Sequence, residues 1–144
     1  MKNIPLFELK KIQTDFPKQK LTSSKLSSEF IRQFYSDDIE IYESFFILML
    51  NRANETIGYA KISQGGICGT IVDVKLVAKF VVDSLASSII IAHNHPSGNL
   101  LPSEADIQIT IKIKVLVKLL DSILLDHIIL TKESYYSLSD EGKI

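Results

Sequence analysis

The sequence predicts an α/β fold in a single domain, and two patterns lead to this prediction. Short apolar runs rich in β-branched residues, such as residues 88–92, are typical of buried strands. Between such runs lie longer stretches with apolar residues at helical spacing, such as residues 73–87. With 144 residues, of which 46% are hydrophobic and 23% charged, the chain is long enough to form one domain around its own core.

The chain before the first predicted helix is interpreted as a basic N-terminal arm, residues 1–21, which is rich in lysine and interrupted by two prolines. Residues 1–36 carry seven Lys or Arg against three Asp or Glu, whereas the whole chain has a net charge of −1. The arm lacks the aromatic or Arg-rich pattern of a polyanion-binding tail. We therefore expect a solvated arm, weak or no direct binding to nucleic acid, and no membrane partner. Residues 22–144 form the folded domain.

One helix and a β-hairpin are predicted in the first half of the folded domain. The helix covers about residues 23–35, begins at serines suited to an N-cap, and is broken by the two aspartates that follow it. Residues 39–50 are rich in strand-forming side chains, and residues 51–55 predict a turn. Residues 56–63 are then the returning strand of the hairpin.

The second half of the domain is predicted to alternate helices and strands. Residues 73–87 form a helix and residues 88–92 a buried strand. Residues 103–120 are ambiguous, because isoleucines at alternate positions favour a strand whereas the length and the Pro-Ser start favour a helix. We predict a helix there. An apolar strand over residues 122–130 and a short edge strand near residues 135–138 complete the domain.

The single cysteine, Cys68, lies in a glycine-rich segment, residues 65–69, that predicts a tight bend or a bulge. One cysteine excludes a disulfide within the chain, which suits a reducing cytoplasm. We expect Cys68 to be a small buried residue, because no pattern supplies it with the base that a nucleophile needs. The N-terminus lacks a signal-type pattern and no apolar run approaches the ~20 residues that span a bilayer, so we expect a cytoplasmic protein.

The most informative motif follows the predicted strand at residues 88–92. Side chains alternate across a strand, so His93 and His95 point to one side and Asn94 to the other. Ser103 is suited to be the N-cap of the next helix, which places Asp106 in the first helical turn, where it can face the end of the strand. Two histidines and one aspartate leave a coordination position open for water, as in catalytic zinc sites.

Other interpretations of these residues stay open at this stage. Asp106 can instead complete a Ser103-x-x-Asp106 capping arrangement, and one carboxylate oxygen cannot fill both roles. Thr110, one turn after Asp106, either orients that carboxylate or packs in the core. Fe²⁺ also binds two histidines and one carboxylate, so Zn²⁺, one ion per chain, is preferred over Fe²⁺ but is not the sole candidate.

Taken together, these motifs resemble the JAMM/MPN metalloproteases, and in particular the JAMM domain of the bacterial RadC family. The resemblance covers residues 22–144. It rests on His-x-His-Pro at 93–96, Ser-x-x-Asp at 103–106, Asp-His-Ile-Ile at 126–129, and a glutamate before an apolar strand at 43–51. The resemblance implies a mixed, curved β-sheet flanked by helices on both sides, similar to the fold of cytidine deaminases.

The resemblance also implies a zinc-dependent hydrolase that acts on an amide bond, in a peptide or an isopeptide. The implied metal ligands are His93, His95 and Asp106. Glu43 would accept a proton from the metal-bound water and return it to the leaving amine. The hydroxyl of Ser103 would help to stabilise the oxyanion, since a capping serine can still donate its own proton outward.

A second interpretation is a non-catalytic or accessory module in DNA repair or DNA processing, the process after which the family is named. The net charge of −1, and the lack of room in 144 residues for the helix-hairpin-helix module of many full-length relatives, argue against autonomous DNA binding. A zinc nucleobase deaminase would need His-x-Glu and Pro-Cys-x-x-Cys, which one cysteine excludes. Asp126 and His127 lie on opposite faces of their strand, and we expect a supporting or structural role for both.

Overall fold

A mixed β-sheet forms the centre of the fold in the computed structural model, which describes residues 2–8, 10–66 and 71–144. The described residues form three α-helices, one short 3₁₀ helix and five strands. The helices are α1 (Ser24–Arg32), the 3₁₀ helix (Asp37–Glu40), α2 (Val74–Ser84) and α3 (Glu104–Leu119). The strands are β1 (Ser44–Leu50), β2 (Thr56–Gln64), β3 (Ser88–Asn94), β4 (Ile123–Leu130) and β5 (Tyr135–Ser137).

The strands lie in the order β2-β1-β3-β4-β5. β1 is antiparallel to both β2 and β3, whereas β3 and β4 are parallel and are connected through α3. β5 adds an antiparallel edge to β4. Because β3 and β4 are parallel, their carboxyl ends meet at the same edge of the sheet, next to the start of β1. The predicted α/β fold with a mixed sheet is confirmed.

Helices cover both faces of the sheet, which explains why β1 and β3 are continuous apolar runs rather than alternating ones. The face covered by α2 and α3 buries alternate residues of each strand, Phe45, Ile47, Met49, Ile89 and Ile91 among them. The face covered by α1 buries the intervening residues, which include Leu48, Leu50, Ile90 and Ala92. Side chains at the carboxyl end of β3 are therefore directed to one face or the other by their position in the strand.

The ambiguous segment at residues 103–120 is the helix α3, and its start explains the outcome. Ser103 and Asp106 form a reciprocal capping box at the first turn. Thr110, Ile113 and Val117 recur at helical spacing and are buried against the sheet. The strand-like alternation of isoleucines therefore has no structural counterpart. None of the helices in the described part of the chain, of which α3 is the longest at 16 residues, is long and apolar enough to cross a membrane.

The bounds of two strands differ from the predicted ones in a way that affects the site. β1 begins at Ser44 rather than at Ile39, because residues 37–40 form the 3₁₀ helix. β3 extends to Asn94, so that His93 lies within the sheet rather than beyond it. Part of the predicted glycine-rich bend, including Cys68, lies outside the described residues.

The last residues of the predicted arm lie against the folded domain. The Phe16 ring packs at 5.5–5.7 Å from the rings of Phe34 and Tyr59. The backbone N–H of Thr56 donates to the carbonyl of Gln19 at 2.9 Å, which attaches this segment to the first residue of β2. Phe16 and Gln19 of the predicted arm thus contact the folded domain.

Candidate metal centre

Four side chains converge at the edge where β3 ends, β1 begins and α3 starts. Each of Glu43, His93, His95 and Asp106 contributes one potential ligand atom, and these atoms lie within 4.8 Å of one another. The Nε2 atoms of His93 and His95 are 2.9 Å apart. Each Nε2 atom lies 3.2 Å from a carboxylate oxygen of Asp106. Such a group of two imidazoles and two carboxylates can hold a metal ion.

Strand geometry places the two imidazoles together. His93 and His95 lie on the α3 side of β3, as predicted from the alternation of side chains. Nδ1 of His95 is 2.6 Å from the carbonyl oxygen of Asn99, and because a carbonyl only accepts, that nitrogen carries the proton. This contact directs Nε2 of His95 toward the cluster.

The carboxylate of Asp106 serves the helix and the cluster at the same time. Its Oδ2 accepts a hydrogen bond from the backbone N–H of Ser103 at 2.8 Å, and the Oγ of Ser103 accepts one from the N–H of Asp106 at 3.1 Å. Its Oδ1 makes no such contact and lies 3.2 Å from Nε2 of His93. Oδ2 thus serves the capping box and also lies 3.2 Å from Nε2 of His95, whereas Oδ1 is free of the capping box. The hydroxyl proton of Ser103 is not used in the capping box.

Mutual contacts set the protonation of the cluster. Burial alone would raise the pKa of Asp106, but its contacts with His93 and His95 outweigh this effect and hold the pKa well below its usual range. Burial likewise acts to lower the pKa of His95, but the contacts with Asp106 and the Asn99 carbonyl raise it. Glu43 differs, because burial raises its pKa against the opposing effect of the two imidazoles. The lowered pKa favours the anionic form of Asp106, and the raised pKa makes Glu43 a stronger base than an exposed glutamate.

Glu43 lies outside the regular strand, and a buried amide holds its segment in place. The side chain of Asn94, which is 0% exposed, donates to the carbonyls of Ile39 and Tyr42 at 2.6 and 2.7 Å. Its Oδ1 accepts from the N–H of Ser44 at 2.8 Å. Glu43 is thereby fixed between two anchored neighbours, and its Oε1 lies 3.6 Å from Nε2 of His93. The sequence patterns do not single out Asn94; its signal is an amide inside an otherwise apolar buried strand.

Asp126 and His127 point to opposite faces of β4, as predicted. Asp126 accepts hydrogen bonds from the hydroxyl of Ser137 at 2.5 Å and from the backbone N–H groups of residues 127 and 139, which hold the chain around β5. His127, which is completely buried, reaches the cluster instead: its Nε2 is 2.8 Å from Nδ1 of His93. Its Nδ1 is 2.6 Å from the hydroxyl of Thr110. Thr110 thus contacts His127 and the backbone of Asp106, not the Asp106 carboxylate.

Comparison with known proteins identifies what this domain is similar to. A family model described as the RadC-like JAB domain matches residues 21–143. A UPF0758 protein of Flavobacterium johnsoniae is 47% identical over 124 residues, which are 86% of this chain and 53% of that protein. A UPF0758 protein of Porphyromonas gingivalis is 38% identical over 126 residues, which are 87% of this chain and 55% of that protein. The chain spans about half the length of these curated relatives.

Proposed function

This chain belongs to the RadC-like JAB domain family, and from that premise we propose that it is a zinc-dependent hydrolase of amide bonds, in a peptide or an isopeptide. The observation that carries the proposal is the convergence of Glu43, His93, His95 and Asp106 on one point, with all four ligand atoms within 4.8 Å of each other. Three of these side chains suffice to hold a metal, which leaves the fourth for proton transfer.

The spacing of the three proposed ligands suits zinc. Two atoms that each lie about 2.1 Å from a tetrahedral zinc ion are about 3.4 Å apart. Nε2 of His93 and Nε2 of His95 are 2.9 Å apart, and each lies 3.2 Å from an Asp106 oxygen, Oδ1 for His93 and Oδ2 for His95. When bound there, Zn²⁺ lowers the pKa of a coordinated water from about 15.7 toward ~7 and polarises the scissile carbonyl. Two imidazole nitrogens and one carboxylate oxygen also form a donor set typical of catalytic zinc.

Glu43 is the proposed general base. Its Oε1 is 3.6 Å from Nε2 of His93, which is farther than that nitrogen lies from His95 or Asp106, so we place Glu43 beside the three proposed ligands. Burial raises the pKa of its carboxyl, which makes it a stronger proton acceptor than an exposed glutamate. We assign Glu43 to remove a proton from the attacking water and to return it to the leaving amine.

Ser103 is the proposed oxyanion donor. Its Oγ accepts the N–H of Asp106 at 3.1 Å, which fixes the position of the hydroxyl next to the cluster. The hydroxyl proton is free to be donated to the oxygen on which negative charge develops. Because its position depends on the capping box, the same serine links the start of α3 to the stabilisation of the transition state.

A substrate panel tests the proposal. Purified protein, stripped by a chelator and reloaded with zinc, is assayed on peptides and on isopeptide-linked lysine substrates. We expect cleavage that disappears on stripping, returns with zinc, and is absent from Asp106→Asn. The matched control is Asp15→Asn, which changes an exposed aspartate in the arm. Cleavage that survives stripping or Asp106→Asn, or a panel without any zinc-dependent cleavage, would contradict the proposal.

A further inference from the structure

His93 begins a chain of buried hydrogen bonds that ends at the backbone carbonyl of Asp106, another proposed ligand. Nδ1 of His93 is 2.8 Å from Nε2 of His127. Nδ1 of His127 is 2.6 Å from Oγ1 of Thr110, and that hydroxyl is 2.6 Å from the carbonyl oxygen of Asp106. His93, His127 and Thr110 are all at most 2% exposed, so water does not replace any of these contacts.

The backbone carbonyl of Asp106 fixes the positions of the protons in these hydrogen bonds. A carbonyl only accepts, so Thr110 donates its single proton to Asp106, because two oxygens 2.6 Å apart need a proton between them. Oγ1 must then accept from Nδ1 of His127. Among the described residues, the ring nitrogens of His127 contact only Thr110 and His93, and a completely buried imidazole without a counter-charge is neutral. Its Nε2 is therefore an acceptor.

The tautomer of His127 determines the tautomer of His93, the proposed ligand. Because Nε2 of His127 accepts, Nδ1 of His93 carries the proton and donates it. In the neutral imidazole, the lone pair then lies on the other nitrogen of His93, Nε2, which faces His95 and Asp106 and is available to a metal ion. The aromatic ring of Phe45, stacked on His93 at 5.9 Å between ring centroids with an interplanar angle of 12°, holds the imidazole in this orientation.

We infer that His127 and Thr110 are positioning residues, which hold His93 in the tautomer that binds a metal and thereby set the affinity of the centre. The inference rests on the proposed metal site and deepens it. Since Thr110 ends the line on Asp106, the same contacts tie β3 and β4 to the first turn of α3, on which a second proposed ligand is carried. His127 contacts Nδ1 of His93, and Thr110 contacts the backbone carbonyl of Asp106, so neither residue is itself one of the four that could hold the metal.

The hydrogen bonds that connect His93 through His127 and Thr110 to the carbonyl of Asp106 are called the relay below. Zinc affinity measures its effect. Thr110→Val removes the hydroxyl and keeps the branched shape, and we expect zinc to bind ~10–100-fold more weakly. Thr110→Ser restores the hydroxyl and should bind within a few-fold of the wild type. The matched control is Thr56→Val, which removes another buried hydroxyl, one that accepts from the N–H of Gln19 at 3.0 Å far from the cluster. Kd is determined by competition with a chromogenic chelator on protein shown to be folded.

The tautomers are measured directly by long-range ¹⁵N–¹H correlation in the imidazole rings. The chain has three histidines, so each ring is resolved and assignable. We expect the Nδ1–H form for His127 in the wild type, with or without zinc, and its loss in Thr110→Val. This measurement requires neither a substrate nor a folded variant, because the wild-type spectrum alone decides the direction of the relay.

The outcomes separate the relay from the metal site. A wild type that binds zinc, with Thr110→Val binding equally well or Thr56→Val losing as much affinity as Thr110→Val, overturns the relay and leaves the proposed function intact. An Nε2–H form of His127 in the wild type also overturns it. A wild type that binds no zinc overturns the proposed site and the inference with it.

Discussion

The two halves of the site are held in different ways. The ligand half, formed by His93, His95 and Asp106, lies on the end of a strand and the first turn of a helix. His93 is fixed by the buried side chains of His127 and Phe45. His95 and Asp106 are held by the carbonyl of Asn99 and the N–H of Ser103. The base half is Glu43 alone, which lies between the 3₁₀ helix and β1 and belongs to neither. The segment that carries Glu43 is fixed by the buried side-chain amide of Asn94, which binds backbone groups of the segment.

This difference matches the role that we propose for each half. Metal ligands must lie within about 0.2 Å of their ideal distances, which favours rigid elements and side chains locked from behind. A general base must only come within hydrogen-bond reach of a proton. We therefore expect substitutions in the base half to lower turnover while the metal stays bound, and substitutions in the ligand half to affect the metal first.

Glu43→Gln is expected to give the largest difference between the effect on kcat and the effect on zinc affinity. The amide is nearly isosteric but cannot accept the proton, so kcat should fall by ~10²–10⁴-fold while zinc affinity stays close to that of the wild type. Chelator competition and steady-state kinetics on the same preparation measure both. The division into halves is wrong if this variant loses zinc in proportion to its loss of turnover.

Ser103→Ala sharpens the comparison, because Ser103 lies next to the ligand half but is proposed to act in catalysis. Loss of the N-cap should reduce the free energy of unfolding by ~0.5–2 kcal/mol. Loss of the oxyanion donor should lower kcat by ~10²–10³-fold with zinc retained. Thermal melting and kinetics measure the two effects. A variant that melts lower yet turns over at the wild-type rate shows that Ser103 is only a cap.

Asn94→Leu tests the support of the base half. The substitution leaves the carbonyls of residues 39 and 42 and the N–H of residue 44 without their partner. Each such buried group costs about 1–3 kcal/mol, and displacement of Glu43 should lower kcat by up to ~10²-fold. Asn51→Leu is the matched control, because the Asn51 amide holds the turn at the far end of β1. We expect Asn51→Leu to lose stability without losing kcat; an equal loss of kcat in both variants would refute the positioning role of Asn94.

The convergence of His93, His95 and Asp106 was predictable from the sequence because it depends on short-range rules. Alternation along a strand places His93 and His95 together whatever the rest of the chain does. Helix capping likewise places Asp106 in the first turn after Ser103. The ambiguous alternation of isoleucines in α3 was resolved by the same local capping, which is present in the structure.

The base half and the relay depend on long-range pairing, which local patterns do not carry. Glu43 reaches the cluster because Phe45 pairs with His93 across β1 and β3, and the family resemblance alone identified it. His127 lies behind His93 because it pairs with Ile91 in the parallel β3–β4 register. The start of β1 was predicted too early because the polar bonds of Asn94 to that segment are not visible in the residues of the segment itself.

The most direct test of a zinc centre with a separate base is the metal content of three proteins purified without chelator. Elemental analysis is expected to find about one zinc ion per chain in the wild type and in Glu43→Gln, and almost none in His95→Ala. Equal zinc in the wild type and His95→Ala, or no divalent metal in any of the three, would contradict the assignment of His93, His95 and Asp106 as its ligands.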